Sequence, residues 1–159
     1  MQLPPNAHST DLTDLLVNAS RALVAISAKS IAIIEDQVTL SQYRILIILI
    51  SEGAQTPTLL SRMLNLQPYI VTRLCDQLFE KTLINRAPSD KDRRKIFVSI
   101  TPKGRHLVEK VIKVRKRSFQ DIVEKIPLGQ RVHVELGFRI FAEISTDVLN
   151  EQFVSSWTI

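Results

Sequence analysis

Residues Pro57–Lys81 read PTLLSRMLNLQPYIVTRLCDQLFEK. Pro57 and Pro68 each suit the first turn of a helix, where the missing N–H has no partner to lose. Asn65 stands between them, where a left-handed residue closes a helix and Asn is tolerated better than most. The stretch therefore predicts two helices, 57–64 and 68–81, joined by a tight turn: a helix-turn-helix. At about 100° per residue, Ile70, Val71, Leu74, Cys75 and Leu78 cluster on one side of the second helix. Tyr69, Thr72, Arg73 and Asp76 take the opposite side, with Gln77 at the margin. The apolar side must pack inward, and the polar side is left free to enter a major groove.

Downstream, the period changes. Leu83–Ala87 and Lys95–Ile100 read as two strands, the second with Ile96, Val98 and Ile100 on one face. The polar stretch Pro88–Arg94 turns between them and crowds Lys91, Arg93, Arg94 and Lys95 beside Asp90 and Asp92. A basic hairpin tip of this kind suits an adjacent minor groove, where narrow A·T segments attract Arg. Thr101-Pro102 then restarts a helix as N-cap and first residue. That helix is expected to run to about Ile126, and Pro127 breaks it before a last helix over 130–150.

Upstream, no Gly or Pro occurs between Asn6 and Glu52. A first helix is expected over 11–35, with Leu12, Leu15, Leu16, Ala19, Leu23, Ile26 and Ser30 on 3–4 spacing. Its apolar content exceeds one face, which suits a helix shared between subunits. A second helix starts near Ser41, with Thr39 and Gln42 spaced as a capping box. Tyr43–Ile50 is apolar apart from Arg44, so this helix is expected to be buried, and Gly53 ends it. The fold class predicted is mainly α (α+β): a winged helix-turn-helix at 39–104, flanked by dimerisation helices at 1–38 and 105–159.

Composition narrows the function. The chain has 159 residues, 45% hydrophobic and 23% charged, with a formal charge of +5 and a pI near 9.6. This is a globular composition with a weak pointer to nucleic acid. The one cysteine, Cys75, cannot form an intramolecular disulfide. His8, His106 and His133 are far apart, so neither a metal site nor a cofactor is expected. No nucleophile–base spacing and no glycine-rich phosphate loop is present, which argues against an enzyme. The longest unbroken apolar run, Ile45–Ile50, is far short of a bilayer span, and the N-terminus lacks a signal-peptide pattern. A cytoplasmic protein with no membrane partner is expected.

Asp92–Gly104 fits D-x-R, five residues, then L-T-x-x-G, with Ile100 in place of Leu. This resembles the wing signature of the MarR family of transcriptional regulators, and Leu40–Arg86 resembles that family's helix-turn-helix. The resemblance covers about 39–111. It implies a homodimer on double-stranded DNA, with one recognition helix and one wing from each subunit, and most often repression. By match to the motif, the recognition helix presents Gln67, Pro68, Tyr69, Thr72 and Arg73. Arg94 is the wing-tip arginine, Asp92 holds it, and Arg93 and Lys95 add phosphate contacts. Many members release DNA when a small aromatic or phenolic effector binds; Tyr43 and Arg44 are the polar candidates for that contact here. Other members respond to thiol oxidation, but Cys75 falls on the core side of its helix and reads as inert. Thr82 stands where the family usually has Gly, so the exit from the recognition helix is expected to depart from the usual geometry. Gln67 is a weak N-cap, which frees its amide for DNA. The basic run Lys103–Arg117 reads mainly as a solvated face, its far end too distant for DNA. Two rivals remain: an architectural protein that coats DNA with little sequence preference, and a helical sensor or interaction module that does not bind DNA.

Overall fold

The structure is a computed structural model that describes residues 11–88 and 95–148. Its elements run α1 (Leu12–Ala32), α2 (Leu40–Ser51), α3 (Pro57–Leu64), α4 (Pro68–Glu80), β1 (Ile84–Pro88), β2 (Ile96–Ile100), α5 (Pro102–Val123) and α6 (Leu128–Val148). The order is the one the sequence predicts. The differences lie at element ends: α1 stops at Ala32, α5 at Val123, and α6 starts at Leu128.

The local signals do what their chemistry dictates. The Thr39 side chain accepts from the Gln42 amide and the Gln42 side chain accepts from the Thr39 amide, so the capping box is closed. Asp11, Thr56 and Thr101 cap α1, α3 and α5, and Pro57, Pro68 and Pro102 occupy first turns. Asn65 takes φ 52°, ψ 47°. The Leu66 amide then reaches back to Ser61 O at 3.0 Å, the six-to-one bond that closes α3.

Helix α2 is the centre of the core. Ile45, Leu46, Ile47, Ile48 and Leu49 are all buried. Against it pack Leu60 and Leu64 of α3, Val71, Cys75 and Leu78 of α4, Val98 of β2, and Val108 and Val111 of α5. β1 and β2 pair antiparallel from Ile84↔Ile100 to Pro88↔Ile96. A further rung joins Gln55, just before α3, to Val98: the Gln55 amide donates to Val98 O at 3.0 Å and the Val98 amide returns at 2.8 Å. This bridge, which no periodicity signals, ties the wing to the start of the helix-turn-helix.

The exit of α4 corrects an expectation. Thr82 holds φ 58° although it is β-branched. The usual geometry is therefore kept, at a cost of about 1–2 kcal/mol for a residue with a Cβ. The surrounding bonds over-determine it. The Leu83 amide donates to Leu78 O at 2.9 Å and the Thr82 amide to Phe79 O at 2.8 Å, which together form a Schellman closure. The Thr101 hydroxyl donates to Thr82 O at 2.8 Å, and Lys103 Nζ donates to Lys81 O at 2.9 Å and to Thr82 Oγ1 at 3.0 Å.

Helix α1 packs on α5, and the Arg115 guanidinium donates to the buried Ser30 hydroxyl at 3.2 Å. That bond gives Arg115 a structural place that its basic run did not reveal. By length and mean hydropathy of 1.3, α1 alone among the described helices is long and apolar enough to cross a membrane, a test that core helices of globular proteins and signal sequences also pass.

Gly104 marks where α5 meets the root of the wing. A Cβ there would stand 2.3 Å from Leu83 O and 2.9 Å from Ile100 Cγ1. Gly104→Ala is expected to lower stability by about 1–3 kcal/mol. Urea unfolding at constant m reads it, and an unchanged midpoint would mean the junction is looser than described.

Candidate nucleic-acid interface

The two sides of α4 separate as the helical period requires. Val71, Cys75 and Leu78 are sealed in the core. On the other side Tyr69 is 73% exposed, and Gln67, Pro68, Thr72 and Arg73 are also exposed. Gln67 makes no side-chain cap, so its amide faces no local demand. The Thr72 hydroxyl donates to Pro68 O at 3.0 Å and keeps its lone pairs to accept. Among the described residues Arg73 has no hydrogen-bond or ion-pair partner. An unpaired guanidinium beside a helix N-terminus attracts phosphate and can bond guanine O6 and N7.

Asp76 belongs to a different arrangement from the one its helical angle suggests. It is half-buried and forms an ion pair with Arg86 of β1. The Arg86 guanidinium also lies 5.3 Å from the Phe79 ring centroid. This contact, invisible at the sequence level, joins α4 to the first strand of the wing. Lys95 is exposed just before β2. Asp92, Arg93 and Arg94 lie outside the described residues.

The two effector candidates sit at the start of α2. Tyr43 is only 2% exposed, and its hydroxyl has no hydrogen-bond partner among the described residues. Burial pushes its pKa up, and the nearby Arg115 opposes that shift. Burial lowers the pKa of Arg44. Neither residue lines the surface cavities beside α5, beside Lys81 and Lys103, or between α1, α5 and α6. The most apolar of these, about 730 Å³, lies between α1, α5 and α6 and is lined by Leu23, Ile26, Phe119, Ile122 and Phe138 among others.

Cys75 is fully buried, and desolvation raises its thiol pKa from 9.0 to about 11, with Arg86 opposing and Asp76 adding. At neutral pH the thiolate, which is the reactive form, is scarce. The sign of the linkage follows. The fold favours the neutral thiol, so this contribution to stability is complete below about pH 9 and is lost as pH rises toward 11. Between those limits the wild-type urea midpoint should fall more steeply than that of Cys75→Ala. Parallel curves for the two proteins would contradict the buried-thiol assignment.

A sequence profile described as the MarR family matches residues 38–96, which spans the helix-turn-helix and the first strand of the wing. The chain is 28% identical over 117 residues to the uncharacterized HTH-type transcriptional regulator YhbI of Bacillus subtilis, covering 72% of this chain and 76% of that one. It is 24% identical to the multiple antibiotic resistance protein MarR of Salmonella typhimurium, over 74% of this chain and 83% of that one. The crystal structure of RV1404 from Mycobacterium tuberculosis superposes with a TM-score of 0.77 at 33% identity, covering 89% of this chain and 97% of the other. The named relatives are regulators of transcription, not enzymes. From the matched helix-turn-helix with the first wing strand, and from the likeness that extends over most of the chain, the chain belongs to the MarR family of transcriptional regulators.

Proposed function

We propose that the chain acts as a homodimeric repressor on a pseudo-palindromic operator, reading bases with α4 and the flanking minor groove with the wing. The observation that carries this reading is the outer side of α4. Gln67, Pro68, Tyr69, Thr72 and Arg73 are all exposed there, opposite a side that is sealed in the core. Arg73 would discriminate guanine, Gln67 adenine, and Tyr69 and Thr72 the thymine methyl or a phosphate. Asp92, Arg93, Arg94 and Lys95 would supply the wing contacts, with Arg94 entering the minor groove and Asp92 orienting it by a charge-assisted bond.

The assignment of 39–104 to DNA and of 1–38 and 105–159 to dimerisation rests on exposed apolar surface. Leu12, Leu15, Leu16 and Val24 of α1, Ile122 and Val123 of α5, and Val132, Leu136, Phe138 and Ile144 of α6 all face outward. Single exposed apolar residues are ordinary, but three neighbouring helices that share them call for a covering surface. A second copy supplies one by symmetry. Two recognition helices would then enter successive major grooves, about one turn (roughly 34–36 Å) apart. A small aromatic or phenolic effector would act where α1, α2 and α5 meet. Tyr43 and Arg44 would supply its polar contacts; the buried Tyr43 hydroxyl, unpartnered among the described residues, is close enough to feel the Arg115 charge. A regulator of this kind works where the DNA is, in the cytoplasm.

Selection from a random duplex library at about 150 mM salt tests the reading, because phosphate-only binding is weak and salt-sensitive there. An inverted repeat with arms about one turn apart is expected. Retention without enrichment would indicate an architectural protein, and no retention at low salt would indicate a partner other than DNA. On the selected site, Arg73→Ala should relax base preference by about 1–3 kcal/mol, and Arg94→Ala should weaken binding where the flanks are A·T-rich. Equal loss on every sequence for Arg73→Ala would reduce that residue to a phosphate contact.

A further inference from the structure

Gln42 is 1% exposed, yet it is polar. Its Nε2 donates to Gln77 Oε1 at 2.7 Å, and its Oε1 accepts from the Thr39 amide at 3.0 Å and from Lys81 Nζ at 3.5 Å. Lys81 Nζ also donates to Gln37 O at 2.6 Å. Gln77 of α4 and Lys81, its C-cap, are four residues apart and so lie on one stripe. The start of α2 therefore grips α4 along a line beside its apolar face.

We propose that Gln42 is a positioning residue that sets the roll of the recognition helix about its own axis. The reasoning rests on the different directionality of the two kinds of contact. The apolar side of α4, through Val71, Cys75 and Leu78, fixes which half of the helix faces inward. Burial of that kind is non-directional and tolerates small rotations. Hydrogen bonds weaken steeply with misalignment, so the Gln42–Gln77 and Lys81–Gln37 pairs resist rotation where the core does not. A roll of about 20° at a helix radius of about 5–6 Å shifts an outward side chain by about 2 Å. That is enough to break a base contact, whereas a flexible side chain on a phosphate can follow. Loss of Gln42 should therefore cost discrimination between sequences before it costs binding. The inference depends on the reading that α4 faces the bases, and the test separates the two.

The test uses Gln42→Met, which keeps length and burial, and Gln77→Glu, which keeps the acceptor for Gln42 Nε2. Gln77→Met, altered at the half-exposed end of the same bond, replaces Gln42→Met if that variant does not fold. Each full-length protein is titrated with its selected duplex and a scrambled one, and residual dipolar couplings of the α4 amides are recorded without DNA. Gln42→Met should lower the selected-to-scrambled affinity ratio by at least about fivefold, the lower end of what one bidentate base contact discriminates. Its scrambled-duplex affinity should stay close to wild type, and its α4 couplings should change. Gln77→Glu adds a negative charge that weakens binding to both duplexes, so it should keep the wild-type ratio and the wild-type α4 couplings. An unchanged ratio in the Met variant overturns the inference. A wild type with no selectivity overturns the base-reading proposal instead. The couplings then decide the positioning role alone, and unchanged α4 couplings reject it.

Discussion

The burial of one side of α4 is the constraint on which the rest depends. Val71, Cys75 and Leu78 are removed from water against α2 and α3. At 20–33 cal/mol per Å² of apolar surface, three such side chains outweigh any competing demand from the polar side. Once that side is committed, the period of the helix turns Tyr69, Thr72 and Arg73 outward. The hydrogen bonds of Gln42 and Lys81 have only to refine that direction. Helix α2 makes this possible because it is apolar nearly all round and serves as the common wall for α3, α4, α5 and β2.

The short link after α4 carries the second constraint. Within residues 81–84 the chain must leave a helix, turn, and begin a strand. Thr82 does so in a left-handed conformation that a β-branched residue resists. It is held by the Schellman bonds from Thr82 and Leu83, by the Thr101 hydroxyl and by Lys103. The Leu83 carbonyl accepts from the Thr101 amide at 3.0 Å, and the same oxygen would stand 2.3 Å from a Cβ at Gly104. Helix α4, the wing and α5 therefore share one junction. A change in the direction of α5 must be felt at the wing and at the end of α4.

Much of this was legible because the informative signals are local. Capping residues, first-turn prolines, Asn65 and the change of hydrophobic period each act within a few positions, and the residues at those positions fix the element boundaries to within a few residues. The exposed and buried sides of α4 followed from the period alone. What was not legible links distant positions: Gln42 with Gln77, Gln55 with Val98, Asp76 with Arg86, and Ser30 with Arg115. Nothing in the neighbourhood of Arg115 distinguishes it from Lys116 or Arg117, yet it alone of the three turns inward to bond Ser30. The geometry at Thr82 is hidden for the same reason: its local preference argues against a left-handed turn, and bonds from Thr101 and Lys103, about twenty positions away, override it.

The central claim is that the outward side of α4 is what meets DNA. Amide chemical-shift mapping of the full-length protein, titrated with a selected duplex at about 150 mM salt, tests it directly. The largest changes are expected at residues 67–73 and around Lys95. Changes confined to α1 and α6, with 67–73 unmoved, would contradict it.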